Sequence, residues 1–368
     1  MQLGESSIFY NPHMSMNRDI AILFADSFFA EKIRVCDPMT ASGVRAVRYL
    51  LECTNVEAVE ALDVDPASVE YAHRVLLLNH VNDEAGVVVA EANHFLIAHK
   101  NRFNLVDLDP FGCPVRFYEN ALRSVVHGGV LAVTATDMAL LTGARHAACL
   151  RKYNVAPVRA DFAKESAVRI LGASIALAAH RLGLGVRVVF SHVSDHYSRV
   201  YVDVRMGKKA ANQSAKALGF VEYCPACLRR VWCYRFEDFQ HSCHNCGGST
   251  LIGGPMWLGA LWDADLVRRM SGRSGFISSS RLSELQKLLG LVEEEMDGMP
   301  FYFRVDEAAR GLGKNPPKIA SLLCALRASG YAASRTHFHP NGVRTDAPVD
   351  TLRSEVCRLA DEAKSEKV

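Results

Sequence analysis

The sequence predicts an α/β protein with a parallel, doubly wound, Rossmann-like sheet, followed by a smaller α+β part. Three observations predict it. From Ile33 onward, short β-branched runs alternate with segments of helical period, the alternation that builds a parallel sheet with crossover helices. The residues that close each run are acids and small polar groups. Beyond residue 206 the alternation stops, and two closely spaced cysteine pairs appear.

The runs Ile33 to Asp37, Val56 to Leu62, Gly86 to Ala90, Phe103 to Leu108 and Gly129 to Thr136 read as strands. Pro66 to Val81 reads as a helix between them. So does Asp161 to Leu182, where Ala167, Ile170, Leu171, Ile175, Ala178 and Leu182 recur at helical spacing. Val186 to His192 and Arg199 to Arg205 lie too close for a crossover helix and should pair antiparallel. At 368 residues the chain exceeds one ordinary domain, which places a first domain at 1–206 and a second at 207–368. A hydrophobic share of 49% with 22% charge is that of a soluble globular protein, and a net charge of +2 leaves any basic surface to be local. Met1-Gln2-Leu3-Gly4-Glu5 has no basic stretch leading into an apolar core, and no run of ~18 apolar residues occurs. A cytoplasmic protein without membrane contact is expected, and nothing points to an obligate protein partner. Cys36, Cys53, Cys113 and Cys149 stand singly in a core-rich region and read as small buried hydrophobes.

Open α/β sheets bind ligands beyond the carboxyl ends of their strands. After the first strand comes Asp37-Pro38-Met39-Thr40-Ala41-Ser42-Gly43-Val44-Arg45, a small-residue turn that lets a ligand approach a helix start, with Asp37 at its mouth. After the second comes Asp63, placed to accept both hydroxyls of a ribose, while Asp65 suits the cap of the next helix. Glu91-Ala92-Asn93 follows the third. The turn is not Gly-x-Gly-x-x-Gly, so a dinucleotide fits poorly and S-adenosylmethionine fits better. An ordinary tight turn between strand and helix is the alternative.

The fourth strand delivers Asp107-Leu108-Asp109-Pro110-Phe111-Gly112, an acid, a rigid proline and a ring. An exocyclic amine is a weak nucleophile because its lone pair is delocalised into the base. A carboxylate that accepts its N–H helps localise that pair for in-line attack on a sulfonium methyl. Guanine presents two donors side by side, N1–H and N2–H, which match the two acceptors of Asp109. Phe111 would stack on the base, worth ~1–3 kcal/mol in comparable systems, unless it is a core residue under the loop. Asp107 shares a face with Asp109 and either contacts the ligand or fixes a loop. Thr134-Ala135-Thr136-Asp137 closes the fifth strand on the same rim, where Asp137 holds either the base or a backbone amide.

In the distal part Cys224-x2-Cys227-x15-Cys243-x2-Cys246 has zinc spacing, and four thiolates leave no open position for a catalytic water. Cys233, His241 and His244 are competing ligands. Arg205 to Phe220, with Arg205, Lys208, Lys209 and Lys216 and no acid, reads as a basic linker, either solvated or tracking a phosphate backbone. Arg281 to Leu291 reads as a helix, Asp306 as the cap of a short one, and Pro316-Pro317 as the start of another ending at Ser329. Tyr331 to Asp346 reads as a hairpin turning at Pro340-Asn341-Gly342, giving a winged-helix-like order. Arg304, Arg310, Lys314, Lys318, Arg327, Arg335 and Arg344 against Asp306 and Glu307 make a local balance of +5, a candidate nucleic-acid surface. A helical tail follows Asp350.

Phe9-Tyr10-Asn11-Pro12 with Asn17-Arg18-Asp19, the Ala41 to Arg45 turn, Asp107 to Gly112, Thr134 to Asp137, His196 to Tyr201, the cysteine pairs, and Arg335-Thr336-His337-Phe338 with Pro340, Thr345 and Asp346 are spread over nearly the whole chain. Together they resemble the tRNA guanine-N2 dimethyltransferases that modify guanine 26. His13 stands where that family usually has a basic residue, and Met138-Ala139 replace a more polar pair. The resemblance implies a class I S-adenosylmethionine methyltransferase with a seven-stranded sheet and a C-terminal domain that seats tRNA. It would place Arg18, Arg45, Asp63, Glu91 and Ala92 around S-adenosylmethionine, and Asp109 and Phe111 at the base. Two alternatives stand beside it: an amino-methyltransferase acting on another RNA or on DNA, and a non-enzymatic zinc and winged-helix nucleic-acid-binding protein.

Overall fold

The alternation folds into one seven-stranded sheet in the computed structural model, which describes residues 8, 10–194, 196–236, 239, 241–295 and 299–365. The N-terminal stretch read above, Met1 to Glu5, and Phe9 lie outside the described residues. The strands are β1 (Ile33–Asp37), β2 (Val56–Asp63), β3 (Ala85–Val89), β4 (Phe103–Leu108), β5 (Val125–Ala135), β6 (Leu184–Val193) and β7 (Ser198–Met206), in the order β3-β2-β1-β4-β5-β7-β6. β1 to β5 run parallel, and β7 lies antiparallel between β5 and β6, as the short β6–β7 connection requires. Strand order reverses between β1 and β4, so the switch-point crevice opens where the Asp37 turn and the Asp109 loop emerge.

Helices α1 (Ser15–Phe28), α2 (Val44–Glu52), α3 (Pro66–Leu78), α4 (Ala92–Ala98), α5 (Tyr118–Ser124), α6 (Met138–Leu141), α7 (His146–Tyr153) and α8 (Ala163–Arg181) accompany the sheet. α3 ends three residues before the expected Val81. Asn79 closes it, and His80 at φ +57° cannot continue a right-handed helix. β5 begins at Val125 instead of Gly129: the strand runs through the Gly128-Gly129 pair, which reads as a break in sequence. The expected basic linker is no linker. Lys208–Ala215 forms α9, and Gly185 of β6 lies so close to Ala210 that a Cβ there would sit 2.4 Å from its backbone.

The distal part carries two small sheets: β8 (Leu218–Tyr223), β9 (Arg230–Cys233) and β10 (Leu251–Trp257), then β11 (Phe303–Arg304), β12 (Ala333–Arg335) and β13 (Gly342–Thr345). Helices α10 (Ala264–Arg273), α11 (Leu282–Glu294), α12 (Val305–Arg310), α13 (Ile319–Ala328) and α14 (Val349–Ser365) complete it. The sequence α11, β11, α12, α13, β12, β13 is the winged-helix order, with one short strand more than the sequence revealed. Asp306 is not the cap of α12. Arg304 is, and Asp306 lies in the first turn, bonded to the Arg304 guanidinium.

One continuous apolar core runs from α1 and the sheet into α10, α11 and the wing. Charges are buried across the same junction. Glu165 of α8 is fully buried and accepts from the backbone N–H groups of Phe301 (2.8 Å) and Tyr302 (3.1 Å) and from Arg344 (3.0 Å). Arg344 also donates to Glu295 at 2.7 Å. The Arg344 guanidinium, counted above as a surface cation, is therefore buried mortar: it neutralises carboxylates from α8 and the end of α11. Burial pushes the Glu165 carboxyl up, but Arg344 and Arg169 outweigh it and hold it down at about 2. Removing the cation takes a buried counter-charge from two buried carboxylates at once and leaves Glu165 with Arg169 and Glu295 with His337, so Arg344→Ala should destabilise the fold by about 3–5 kcal/mol in urea unfolding. A loss no larger than that of an exposed ion pair would contradict this placement.

Candidate active site

β4 is buried through Leu108, so its first acid has nowhere to be solvated. Asp107 is fully buried, and its oxygens accept from Arg45 Nη1 (3.1 Å), the Tyr49 hydroxyl (2.7 Å) and Arg199 Nη2 (2.8 Å). Burial raises its proton affinity, but Arg199 and Arg45 overcome that and keep it below the usual carboxylate range. Of the two roles open to it, Asp107 fixes the framework. Arg45 reaches on from Asp107 to Asp109 Oδ2, and to Asn17 Oδ1 at 3.0 Å. Arg199 extends the network to Thr134 Oγ1 (2.6 Å) and the Tyr201 hydroxyl (2.8 Å). Asp109 is thus held from behind by a buried guanidinium, with its side chain still 20% exposed.

Phe111 is 79% exposed, so its ring stands outside the core, next to Asp109 along the chain. The loop beneath it is anchored: Gly112 N–H donates to Thr136 Oγ1 (2.7 Å), and Thr136 N–H returns a bond to Gly112 O (3.1 Å). On the same β5 tip, Asp137 accepts from the Tyr153 hydroxyl at 2.5 Å, a partner that sequence spacing did not suggest.

The neighbouring tips form the other half of the crevice. Asp37 is buried at the end of β1, and its Oδ2 has no hydrogen-bond partner among the described residues. Burial pushes its carboxyl up to about 7 against the pull of Arg45. The following turn needs Gly43: its φ is +70°, and a Cβ there would lie 2.9 Å from that of Ala72 in α3. Asp63 accepts from Ala41 N–H (3.0 Å) and Asp65 N–H (3.1 Å), tying the β2 tip to this turn, while Asp65 caps α3 as expected. Glu91 caps α4 through His94 N–H (2.9 Å), and Ala92 is the buried first residue of that helix. Arg18, on α1, lies over the Tyr10 ring at 4.7 Å and donates to Asn11 O. Acids on β1, β2 and β4 and a cation from α1 therefore surround one crevice, with an orphaned carboxylate oxygen suited to a polar ligand.

Residues 3–357 match the family described as N2,N2-dimethylguanosine tRNA methyltransferase. The chain belongs to that family. The tRNA (guanine(26)-N(2))-dimethyltransferase of Methanosphaera stadtmanae is 34% identical over 366 residues, covering 98% of this chain and 93% of the relative. That of Thermococcus kodakarensis is 36% identical over 364 residues, covering 94% and 92%. Trm1 from Pyrococcus horikoshii, solved in complex with S-adenosyl-L-methionine, superposes with a TM-score of 0.87 at 31% identity over 97% of this chain and 96% of that one. The fold expected from the sequence is that of this family: a Rossmann-like methyltransferase sheet with a cysteine-bearing C-terminal part.

In this member of the family the four cysteines converge. Their sulfurs all lie within 4.8 Å of one another, with Cys224–Cys246 at 3.5 Å and Cys227–Cys243 at 3.6 Å, and none is in a disulfide. Cys233, His241 and His244 are outside the cluster. The residues that sequence reading missed are Tyr49 and, as a buried partner of Asp107, Arg199. The signal for Arg199 was present, since an arginine opening the apolar run Val200-Tyr201-Val202 must find a counter-charge.

The raised Asp37 carboxyl carries a pH signature. The folded chain keeps this proton where the unfolded chain has lost it, so the cost of ionising Asp37 accumulates from about pH 4 to about pH 7 and is constant above. Thermal midpoints of D37N, measured against the parent, should gain over that window and level off beyond it. A difference independent of pH would contradict the assignment.

Proposed function

We infer that the chain is an S-adenosylmethionine-dependent methyltransferase that adds two methyl groups to the exocyclic N2 of guanine 26 in tRNA. The observation that carries this reading is Asp109, braced by Arg45 at the tip of β4 beside the exposed Phe111. Family membership supports the substrate, and the braced carboxylate beside the exposed ring supports the means.

Arg18, Asp37, Arg45, Asp63, Glu91 and Ala92 would hold S-adenosylmethionine, and the unpaired Asp37 oxygen beside the small-residue Ala41 to Gly43 turn fits such a ligand. When bound, that group supplies a methyl on a positively charged sulfur, and the C–S bond breaks with both electrons kept by sulfur. Asp109 accepts N–H bonds from guanine and draws the N2 lone pair out of the ring system. Arg45 occupies only part of Asp109 Oδ2, so lone pairs remain for N1–H and N2–H. The nitrogen that gains the methyl becomes cationic and sheds a proton, for which Asp109 is the adjacent acceptor. N2-methylguanine keeps one N–H, so the same contact serves the second transfer. Phe111 stacks on the base and excludes water from the reacting nitrogen. Guanine 26 must leave its stack to reach this pocket, so tRNA is recognised by shape and phosphate contact.

The four cysteines would hold a structural zinc. A tetrahedron with metal–sulfur bonds of about 2.3 Å has edges of about 3.8 Å, close to the sulfur separations here. We assign residues 1–206 to methyl transfer and 207–368 to zinc and tRNA binding. No helix among the described residues is long and apolar enough to cross a membrane.

Labelled S-adenosylmethionine with unmodified tRNA should yield N2,N2-dimethylguanosine, and a transcript with adenine at position 26 should stay unlabelled. Persistent labelling of that transcript would refute the target. Asp109→Ala should lower kcat by about 100-fold or more while leaving cofactor affinity near its parent value by calorimetry. A collapse of cofactor affinity would move Asp109 out of its role. Cys243→Ser should lose bound zinc by metal analysis and lower the thermal midpoint, whereas retained stoichiometry would exclude a four-cysteine site.

A further inference from the structure

The structure redistributes positive charge. Of the seven cations that formed the basic stretch from Arg304 to Arg344, Arg344 is buried, Arg304 and Arg310 pair with acids of α12, Lys314 pairs with Asp361, and Arg327 is spent on Ala333 O. Lys318 and Arg335 remain.

A different segment has the opposite property. Between Asp137 and Asp161 the chain carries Arg145, Arg151, Lys152 and Arg159 and no acid. All four are exposed, and none makes an ion pair among the described residues. Of the flanking acids, Asp161 is taken up by Arg230 at 3.1 Å, and Asp137 is bonded to the Tyr153 hydroxyl and makes no ion pair with the four cations among the described residues. Three cations without an ion pair thus lie on the α6–α7 hairpin, and the fourth, Arg159, on the segment that follows it.

That hairpin is fastened to the rim of the pocket. α6 starts two residues after Thr136, which is locked to Gly112 of the Asp109 loop by two hydrogen bonds. Arg145 N–H donates to Ala139 O at 3.0 Å, closing the hairpin. Gly143, at φ +85°, packs against residues 158 and 159 so closely that a Cβ would meet Arg159 N at 2.9 Å. Arg145 and Arg159 therefore share one end of the element. Arg151 and Lys152 occupy the last turn of α7, about 9 Å further along at 1.5 Å per residue.

We propose that the α6–α7 hairpin grips the RNA phosphate backbone flanking the target guanine. This rests on the tRNA methyltransferase reading above. Arginine and lysine contacts to phosphate set register without reading bases, the task of a surface beside a pocket that accepts a flipped base. The grip follows directly on the β5 tip, so the RNA backbone next to the guanine is held by an element joined to Thr136, which is bonded to Gly112 of the Asp109 loop.

Salt dependence tests it. The full-length chain and its R145Q/R151Q/K152Q/R159Q variant are titrated with an unmodified tRNA transcript from about 50 to about 200 mM salt. The variant should bind about tenfold or more weakly, and the slope of log affinity against log salt should fall by about 3, for four lost phosphate contacts. R145Q/R159Q and R151Q/K152Q, made separately, should each lower the slope by about half as much. Cofactor affinity and thermal midpoint should not change, and KM for tRNA should rise with kcat largely kept. K318Q/R335Q serves as comparator on the wing. Parent-like affinity and slope in the quadruple variant, or a larger loss in the comparator, would overturn the proposal. A parent chain that binds tRNA with this salt signature but transfers no methyl would overturn the enzymatic reading and leave the surface standing.

Discussion

The site depends on one buried carboxylate. Asp107 sits in the middle of the sheet with no access to water, where an ionised acid is tolerable only if it is fully paired and hydrogen-bonded. Its partners come from α2 (Arg45, Tyr49) and β7 (Arg199), so satisfying this one charge fixes a helix and a returning strand against β4. The arginine that answers Asp107 then has donors left over, and one of them reaches Asp109. A structural requirement of the core thereby dictates where the Asp109 carboxylate points. The same economy holds for Arg199, whose remaining N–H groups place Thr134 and Tyr201.

Much of this was legible in the sequence because it depends on local pattern. Strand and helix periods, the acids at strand tips, the Asp65 cap and the cysteine spacing are all properties of neighbouring residues. What failed to show was partnership over distance. Arg344 looks like any other arginine of a basic stretch until Glu165, 179 positions away, is folded against it. Arg205 to Phe220 reads as a solvated linker by charge, yet Ala210, Ala211 and Ser214 supply the small face that α9 needs to lie on β6. Asp107 and Asp109 are two residues apart and chemically identical. Only burial separates a framework charge from one that faces the crevice.

The exposed Phe111 states something about substrate size. A small-molecule enzyme closes apolar walls around its ligand, whereas here a large ring is mostly exposed at the end of an anchored loop. The stacking role proposed for Phe111 would use that exposure on a base presented by a folded RNA. The loop can present the ring without drifting because its backbone is bonded in both directions to Thr136.

Glu165 has an implication for ancestry. It belongs to the helix that backs the sheet and shares that helix with one partner, Arg169, but its other partners, two backbone amides and the Arg344 guanidinium, belong to the distal part. A gene fragment encoding the first part alone would have to bury an acid with most of its donors missing, and one encoding the second would carry a buried arginine short of its counter-ions. Recombination between the two is therefore penalised at the level of folding, and lineages of this enzyme should inherit both parts together or neither.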